Sequence, residues 1–289
     1  MQQLRLTTSS DPATIAALAG TFADASHYDT LLTPTEGDVT VAKPDGQPLL
    51  VVLRKAVTSA MYQATYAAVA PLARGTPQDN RGVAAGMLHE SESRENLNGG
   101  FAVGMKSRTR YRLLKRDGTT SHTSRARRVP SFITGFVERS PRWPFCRQTV
   151  YTNKHPQRLV SLLPSLAHLS TLFATHLPQR HAAQATQCTI THPDFVIPGT
   201  VFTTLTVNRN WSTAFHTDAG DLPEGFGVML CLRAGSYEGG YYVMPRYRVA
   251  VDLHAGDVIL SDVHEYHGNT AIEGDAKRYE RITVVCYFR

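Results

Sequence analysis

Short strand-like segments separated by turn residues fill the last third of the chain. From Gly199 onward, runs of four to nine apolar and β-branched residues alternate with turn pairs such as Gly239-Gly240, Gly256-Asp257 and Gly268-Asn269. The segments cover residues 200–208, 227–232, 241–244, 247–253, 257–262 and 281–288. Strands of this length and spacing are typical of a jelly roll. We therefore predict a double-stranded β-helix core.

Elements upstream of this core predict an α+β fold. A strand is predicted at residues 49–53, and an alanine-rich helix at 57–73 would bury Val57, Met61, Ala64, Ala68 and Leu72. Leucines at helical spacing over 159–177 predict a second, supporting helix with Pro164 near its start or at a kink. Residues 74–104 read as an irregular segment, and Asp117-Gly118 as a hairpin turn.

These patterns suggest three regions in one integrated catalytic domain. Residues 1–105 form an N-terminal α/β extension, residues 106–155 a basic segment that contacts nucleic acid, and residues 156–289 the supporting helix with the jelly-roll core. A chain of 289 residues with 42% hydrophobic residues is long enough to bury such a core.

Positive charge is concentrated in one stretch of the chain. The formal net charge is +6, yet residues 106–147 contain twelve lysines and arginines against two acids, so this stretch has an excess of ten. A positive electrostatic field concentrated in one stretch favours binding of a polyanion such as DNA or RNA. A solvated basic loop is the alternative interpretation. The candidate DNA contacts are Arg125, Arg127, Arg128 and Arg147.

Cysteine usage and the chain start bear on the compartment. The four cysteines are far apart and contain no Cys-x-x-Cys pair, which argues against a zinc knuckle and a disulfide framework. The first twelve residues have no apolar signal-peptide core, and the longest early apolar run, 49–53, is strand-sized. We expect an intracellular, cytoplasmic monomer without a membrane span.

The core contains a candidate metal site. His216 and Asp218 are separated by one residue, so in an extended segment both side chains project to the same face. A third ligand must come from a distant strand, and the candidates are His254, His264 and His267. His267 is the first choice because it follows the predicted strand 257–262 and precedes the Gly-Asn turn, and His264 is the competing choice. Two histidines and one carboxylate are the ligand set of Fe(II) oxygenases, which keep coordination positions open.

The last predicted strand offers a partner for a dicarboxylate co-substrate. Alternation places Arg281, Thr283, Val285 and Tyr287 on one face and four apolar or thiol residues on the other. An arginine fork matches a carboxylate better than a lysine does. This pattern favours a 2-oxoglutarate-dependent oxygenase. An exposed strand-end role for Arg281, with Arg278 binding the carboxylate instead, stays open.

Taken together, these motifs resemble the TET/JBP family of nucleic-acid-base oxygenases, particularly the compact versions carried by bacteriophages. The resemblance is close over residues 199–289 and weaker upstream, through Asn80-Arg81-Gly82 and 146–149. It implies Fe(II) at His216, Asp218 and His267, and 2-oxoglutarate held by Arg281, Thr283 and Asn208. The motifs that carry it are Asn208-Arg209-Asn210, His216-Thr217-Asp218, Gly239-Gly240, Gly256-Asp257, His267-Gly268-Asn269 and Arg281-Ile282-Thr283.

The same resemblance implies two base contacts. Tyr287 matches a family position where an aromatic ring stacks on the flipped base. Asp221 falls where TET enzymes place an asparagine, so the chain departs from the family there. An ionised Asp221 would accept a hydrogen bond from the cytosine amino group and repel thymine O4. The cysteine-rich zinc region and the J-base-binding domain of relatives are not found here, so we expect a stand-alone catalytic unit.

The expected activity is O2-dependent hydroxylation of the 5-methyl group of a DNA pyrimidine. 5-Methylcytosine is the first substrate, converted to 5-hydroxymethylcytosine and then to further oxidised forms, and thymine is the alternative. A hydroxylase of a small molecule or peptide would use the same barrel, but it has no need of the basic stretch. A non-enzymatic nucleic-acid-binding barrel is disfavoured by the intact ligand set.

Overall fold

The computed structural model describes residues 1–79, 81–87, 111–114, 119–139 and 143–289. Its centre is a nine-stranded sheet in the order β1-β3-β4-β14-β10-β17-β9-β7-β8. The strands are β1 (Gln2–Arg5), β3 (Val39–Ala42), β4 (Pro48–Leu53), β7 (Ser131–Val137), β8 (Arg147–Gln148), β9 (Thr204–Arg209), β10 (Gly227–Ala234), β14 (Val258–Ser261) and β17 (Glu280–Tyr287).

A smaller, four-stranded sheet covers one face of the large sheet. Its order is β15-β12-β13-β2, and β11 pairs with β16 beside it. Apolar residues of both sheets, among them Val41, Met229 and Val249, form one buried cluster between them. The predicted double-stranded β-helix is confirmed. The remaining strands are β2 (Thr30–Leu32), β11 (Glu238–Gly239), β12 (Tyr242–Met244), β13 (Val249–Val251), β15 (Gly268–Asn269) and β16 (Ile272–Glu273).

Helices cover the other face of the large sheet. They are α2 (Ser59–Ala73), α3 (Val150–Lys154), α4 (Pro156–His176) and α5 (Pro178–Ile190). The short helix α1 (Pro12–Ala16) lies elsewhere, against residues Pro245–Tyr247. Leu162, Leu166 and Phe173 of α4 join the sheet in a second buried cluster. The helix α4 is long and apolar enough to span a membrane, but this leucine face packs on the core, as predicted.

The N-terminal residues complete both sheets of the core. The strand β4 pairs antiparallel with β14, with Leu53 opposite Val258. The strand β2 pairs in parallel with β13 at the edge of the small sheet. The strands of residues 1–53 therefore extend the barrel itself, and the boundaries at 105 and 155 stay predictions.

Part of the basic segment also belongs to the sheet. The strand β7 pairs with β9, so that Ser131 lies opposite Asn208. The strands β5 (Tyr111–Leu114) and β6 (Thr120–Arg125) form the predicted antiparallel hairpin. The turn itself at Asp117-Gly118, Lys106, and most of the predicted irregular segment 74–104 lie outside the described residues.

Several helical predictions differ from the structure. The helix α2 begins at Ser59, after a Thr58 side chain that caps its N-terminus, so Val57 precedes it. Ala64 is exposed and Thr65 is buried in its place, because Thr65 donates a 2.7 Å bond to the Met61 carbonyl and reaches Ser165 of α4 at 2.6 Å. Pro164 lies inside α4 and not at its start, and α5 was not predicted.

Candidate metal centre and active site

His216 and His267 are held together by their backbones. They form an isolated antiparallel bridge, in which the His216 N–H donates to His267 O at 3.0 Å and the His267 N–H donates to His216 O at 2.9 Å. Their ring centroids lie 4.4 Å apart. Two segments separated by about fifty residues in sequence thereby present both imidazoles to one point.

Asp218 completes a three-ligand cluster. Its backbone N–H donates to Val263 O at 2.9 Å, which holds the turn after His216 against the segment before His267. The carboxylate oxygens lie 3.5 Å from His216 Nε2 and 3.7 Å from His267 Nε2. The three ligand atoms all lie within 4.8 Å of one another, which is close enough to share one ion.

Backbone carbonyls orient both histidines. Nδ1 of His216 lies 2.8 Å from Ala214 O, and Nδ1 of His267 lies 3.0 Å from Glu265 O. A carbonyl only accepts, so each Nδ1 carries the proton and each Nε2 is left as the metal-binding nitrogen. This second hydrogen bond is what metal-ligating histidines make.

A charged network lies behind His267. Glu265 accepts bonds from Lys43 Nζ at 2.8 Å and Tyr247 Oη at 2.7 Å, and Arg246 pairs with it at 3.1 Å. Because Glu265 is held on three sides, its carbonyl is a fixed acceptor for His267. Lys43 directly follows β3, so the N-terminal part of the chain supports a candidate metal ligand of the core.

The electrostatics of the cluster suit a metal. Although burial acts in the opposite direction, the His216 hydrogen bond and the charges of His267, His216 and Arg81 hold the pKa of Asp218 well below its usual range. Burial, with His216 nearby, lowers the pKa of His267 to about 4. At neutral pH Asp218 is therefore ionised and His267 neutral, as metal ligation requires.

The competing histidines have other partners. His264 Nδ1 lies 3.2 Å from Asp262 Oδ1, and His254 Nε2 lies 3.0 Å from Asp252 Oδ2. The pKa of His264 is raised, chiefly by the Asp262 hydrogen bond. Of the three histidines considered from sequence, the structure brings His267 to His216 and Asp218.

Strand β17 lines a cavity next to the cluster. The cavity has a volume of about 380 Å³ and is lined by His216, Asp218 and His267 together with Arg281, Thr283, Val285 and Tyr287 of β17. The opposite face of β17, with Ile282, Val284 and Cys286, lies in the helix-covered core. The alternation predicted for this strand is observed.

Arg281 is buried with a free donor. Its side chain is 3% exposed, and its Nη2 has no hydrogen-bond partner among the described residues. Asn210 bonds the backbone of Arg281 and not its guanidinium: the Arg281 N–H donates to Asn210 Oδ1 at 2.7 Å, and the Asn210 N–H donates to Arg281 O at 2.9 Å. Gly240 has φ +68°, and a Cβ there would lie 3.4 Å from Arg281 Nε. A buried, unpaired guanidinium is costly unless an anion binds it.

Thr283 and Asn208 lie beside Arg281 on the cavity wall. Asn208 Nδ2 donates to Thr283 Oγ1 at 3.4 Å, and Ser131 Oγ donates to Asn208 Oδ1 at 2.5 Å. Arg278, the alternative to Arg281, is 85% exposed, pairs with Asp275 at 3.5 Å and is not among the cavity-lining residues.

The two predicted base contacts also line the cavity. Tyr287 is 8% exposed, its Oη lies 3.2 Å from Thr206 Oγ1, and burial raises its pKa to about 12. Burial and the Asp218 charge raise the pKa of Asp221 to about 8. The carboxylate form of Asp221 is thus disfavoured relative to an ordinary aspartate, and the protonated form can donate a hydrogen bond as well as accept one. The contact of Asp221 with the base stays a prediction.

The predicted arginine contacts lie away from the cavity lining where they are described. Arg127 Nη2 donates to Met87 O at 3.4 Å, Arg128 Nε to Pro77 O at 3.0 Å, and Arg147 Nη1 to Glu138 O at 3.3 Å. The Arg125 side chain is outside the described residues.

Two cavity arginines were not assigned from the sequence. Arg81 is largely buried, its Nε has no hydrogen-bond partner in the described part of the chain, and its Nη2 lies 3.4 Å from Thr206 Oγ1. Arg289 packs on Gly220, where a Cβ would lie 2.6 Å from its guanidinium. The motif Asn80-Arg81-Gly82 was the one available signal for Arg81.

Comparison with known proteins decides the family. The Tet_JBP model, described as the oxygenase domain of the 2OGFeDO superfamily, matches residues 137–289. The chain belongs to the TET/JBP family. The family model covers the strands β8, β9, β10 and β17 and all three members of the cluster.

Relatives and a solved structure agree with this assignment. The chain is 31% identical over 217 residues, 74% of its length, to the bifunctional helicase and thymine dioxygenase JBP2 of Leishmania infantum, and 35% identical over 147 residues, 50% of its length, to the thymine dioxygenase JBP1 of Trypanosoma brucei brucei. It spans 17% of the length of each. The fold matches NgTET1 in complex with 5mC DNA with a TM-score of 0.57 and 11% identity, over 97% of this chain and 91% of that one.

The TET/JBP domain is thus a 2-oxoglutarate/Fe(II) dioxygenase domain, and the cavity residues fit both groups. Two imidazole Nε2 atoms and one carboxylate form the donor set for Fe(II). The unpaired Arg281 Nη2 fits a carboxylate of 2-oxoglutarate. Both features lie in one cavity.

Proposed function

We propose that this domain hydroxylates the 5-methyl group of a pyrimidine in DNA, with Fe(II) at His216, Asp218 and His267 and with 2-oxoglutarate at Arg281, Thr283 and Asn208. The observation that carries the proposal is that the three-ligand cluster and the unpaired Arg281 guanidinium line one cavity. When bound, iron and 2-oxoglutarate supply the oxidising power for a carbon–hydrogen bond.

The chain's own residues bind and orient the metal and the co-substrate. The carbonyls of Ala214 and Glu265 keep the histidine Nε2 atoms directed at the metal position. Arg281 pairs with the distal carboxylate of the co-substrate, and Thr283 presents its hydroxyl on the same strand face. Apolar groups such as Met229 and Val285 line the wall between the polar side chains.

A base inside a duplex cannot reach this cavity, so the target nucleotide must flip out. Tyr287 offers its ring to the flipped base from the cavity wall. Asp221 lies on the same wall, and a protonated carboxyl there can donate to a base carbonyl or ring nitrogen and accept from an amino or imino N–H. Asp221 is thus compatible with cytosine and with thymine.

5-Methylcytosine is our first candidate substrate, and 5-hydroxymethylcytosine with further oxidised forms its product. Thymine is the second candidate, and a specific observation favours it, because the relatives at 31% and 35% identity are thymine dioxygenases. Because the substrate is DNA, we propose an intracellular enzyme, and a bacterial or phage-infected cell as its host.

One experiment tests the activity and separates the substrates. The protein is incubated with Fe(II), 2-oxoglutarate, O2 and DNA that contains 5-methylcytosine, and the digested nucleosides are analysed by mass spectrometry. We expect a gain of one oxygen on 5-methylcytosine and release of succinate. A gain on thymidine alone, in methylated and unmethylated DNA, would identify thymine as the substrate. Oxidation of neither base by wild-type protein would overturn the proposal.

A further inference from the structure

Two aromatic side chains are exposed in the segment before strand β8. Trp143 is 43% exposed and Phe145 is 54% exposed, and their ring centroids lie 6.0 Å apart in an edge-on arrangement. Large aromatic side chains are seldom left at a surface without use, because burying them against a partner is favourable. We call Trp143 and Phe145 the aromatic pair.

A continuous series of contacts connects the aromatic pair with the cavity. The Arg147 guanidinium lies 5.9 Å from the centroid of the Trp143 ring and donates to Glu138 O at 3.3 Å. Glu138 Oε1 accepts from Arg289 Nε at 3.0 Å. Arg289 lines the cavity and packs on Gly220, in the turn that follows Asp218. The aromatic pair is therefore connected to the cavity wall through Arg147, Glu138 and Arg289.

The surroundings of the pair suit nucleic acid. Arg147 supplies positive charge at the Trp143 ring. The exposed Arg139 lies four residues before Trp143 in the chain, and Arg289, which pairs with Glu138, belongs to the same series of contacts. Arginines pair with phosphates and aromatic rings stack on bases, so this combination fits a DNA strand better than an apolar protein surface. When a nucleotide flips out of a duplex, it leaves a gap that an apolar side chain can fill.

We propose that the aromatic pair contacts the bases next to the flipped nucleotide and fills the gap it leaves in duplex DNA. This inference rests on the proposed function, since it needs a target nucleotide in the cavity. The occupant is duplex DNA. A stacking surface for single strands would be a different role, and the experiment separates the two.

Trp143 itself can report the contact without turnover. The chain has two tryptophans, Trp143 and the cavity residue Trp211. Titration of iron-free protein with duplex DNA should quench the emission, and Trp143→Phe, which keeps a ring at the position, should lose a large part of that quenching. Equal quenching in wild type and in Trp143→Phe would overturn the proposed contact between Trp143 and DNA.

A comparison of duplex and single-stranded substrate tests whether the aromatic pair fills the gap in the duplex. For Trp143→Ala with Phe145→Ala, we expect oxidation of a duplex to fall about tenfold in kcat/KM, the loss expected from one missing stacked base. The same strand without its complement needs no gap to be filled and should be oxidised nearly as by wild type. Equal losses on both forms, or no loss on the duplex, would overturn the proposal.

A matched control and the wild-type arm complete the experiment. Ile190→Ala removes an apolar side chain that is 75% exposed at the end of α5. This variant should oxidise both the duplex and the single strand as wild type does. If wild-type protein oxidises neither duplex nor single strand, the proposed function fails. The fluorescence titration then still decides whether Trp143 contacts DNA.

Discussion

At the residue scale, the site is defined by a few polar atoms on the cavity wall that have no hydrogen-bond partner within the described part of the chain. His216 and His267 each use Nδ1 on a backbone carbonyl, which leaves Nε2 for a metal. Arg281 keeps a buried donor for an anion. Other charged residues near the cavity, such as His264 and Lys43, are paired with carboxylates. The unpaired groups on the cavity wall are therefore the ones available to a metal ion and to a carboxylate.

Removal of one metal ligand should abolish turnover. In Asp218→Ala the carboxylate is lost, and two imidazoles do not replace the three-ligand set. We expect neither an oxidised base nor succinate, with the thermal unfolding midpoint close to wild type. His264→Ala is the matched control and should keep turnover, because His264 pairs with Asp262 outside the cluster. Activity in Asp218→Ala, or its loss in His264→Ala alone, would contradict our ligand assignment.

Arg281→Ala should weaken the binding of 2-oxoglutarate. Charge-assisted hydrogen bonds contribute about 1.5 to 3 kcal/mol, so the KM for 2-oxoglutarate should rise on the order of ten- to a hundredfold. The measurement is succinate formation against 2-oxoglutarate concentration. Arg278→Ala serves as the control, because this arginine is exposed and pairs with Asp275. A raised KM in Arg278→Ala and an unchanged one in Arg281→Ala would reverse the assignment.

At the element scale, strand β17 is supported from both sides. Its apolar face packs under α2 and α4, while its polar face lines the cavity. Glu280 at its start accepts bonds from Tyr66 Oη at 2.5 Å, Arg74 Nη2 at 3.0 Å and Arg209 Nε at 2.6 Å. Helix packing therefore determines where the Arg281 side chain is held.

Truncation of a buried leucine in α4 should loosen this support. Leu166 is fully buried in the helix-covered core, and removal of such a side chain costs about 2 to 5 kcal/mol. Leu166→Ala should lower the free energy of unfolding by this amount in a urea titration. Val160→Ala, at an exposed position of the same helix, should change it by less than about 0.5 kcal/mol. Equal effects would mean that α4 does not pack as described.

The Glu280 contacts predict an acid-sensitive support. Burial opposes ionisation, but the bonds from Arg74, Tyr66 and Arg209 lower the pKa of Glu280 to about 2. Because the folded pKa lies below the ordinary value of 4.5, the contribution to stability is present above that value and is lost as pH falls towards 2. Glu280→Gln should be less stable than wild type at pH 7, and the difference should shrink between pH 5 and 2. A constant difference would contradict this.

At the scale of the whole molecule, the three-ligand cluster and the basic stretch occupy different parts of one barrel. The cluster lies inside the cavity between the sheets, whereas the basic stretch 106–147 contributes β7 to the sheet edge. Its described arginines Arg127 and Arg128 bond carbonyls of residues 77–87. These contacts support the segment that carries Arg81, and binding of DNA phosphates by the stretch stays a prediction.

Salt dependence tests the basic stretch. If it neutralises phosphates, log affinity for duplex DNA should fall with log salt, with a slope of about −0.9 per phosphate. Replacement of Arg125, Arg127 and Arg128 with Ala should flatten the slope, and Lys277→Ala, at an exposed site elsewhere, should not. Circular dichroism of the triple variant checks that the carbonyl contacts are dispensable for folding. An unaltered slope would make the stretch a solvated surface.

Local patterns were sufficient for much of the fold and the site. The turn pairs and short apolar runs predicted the jelly roll, and alternation along β17 assigned Arg281, Thr283 and Tyr287 to one face, because strand side chains alternate whatever lies around them. The spacing of His216 and Asp218 likewise placed two ligands together. Such features depend on residues that are close in sequence.

Long-range packing decided the rest. The choice of His267 over His264 follows from the backbone bridge to His216, and the pairing of β7 with β9 brings Ser131 to Asn208. The protonation of Asp221 and the burial of Arg81 depend on neighbours distant in sequence. Sequence determined which groups this chain offers for iron and a dicarboxylate. Tertiary structure decided which of them meet, because contacts between distant segments leave no local period in the chain.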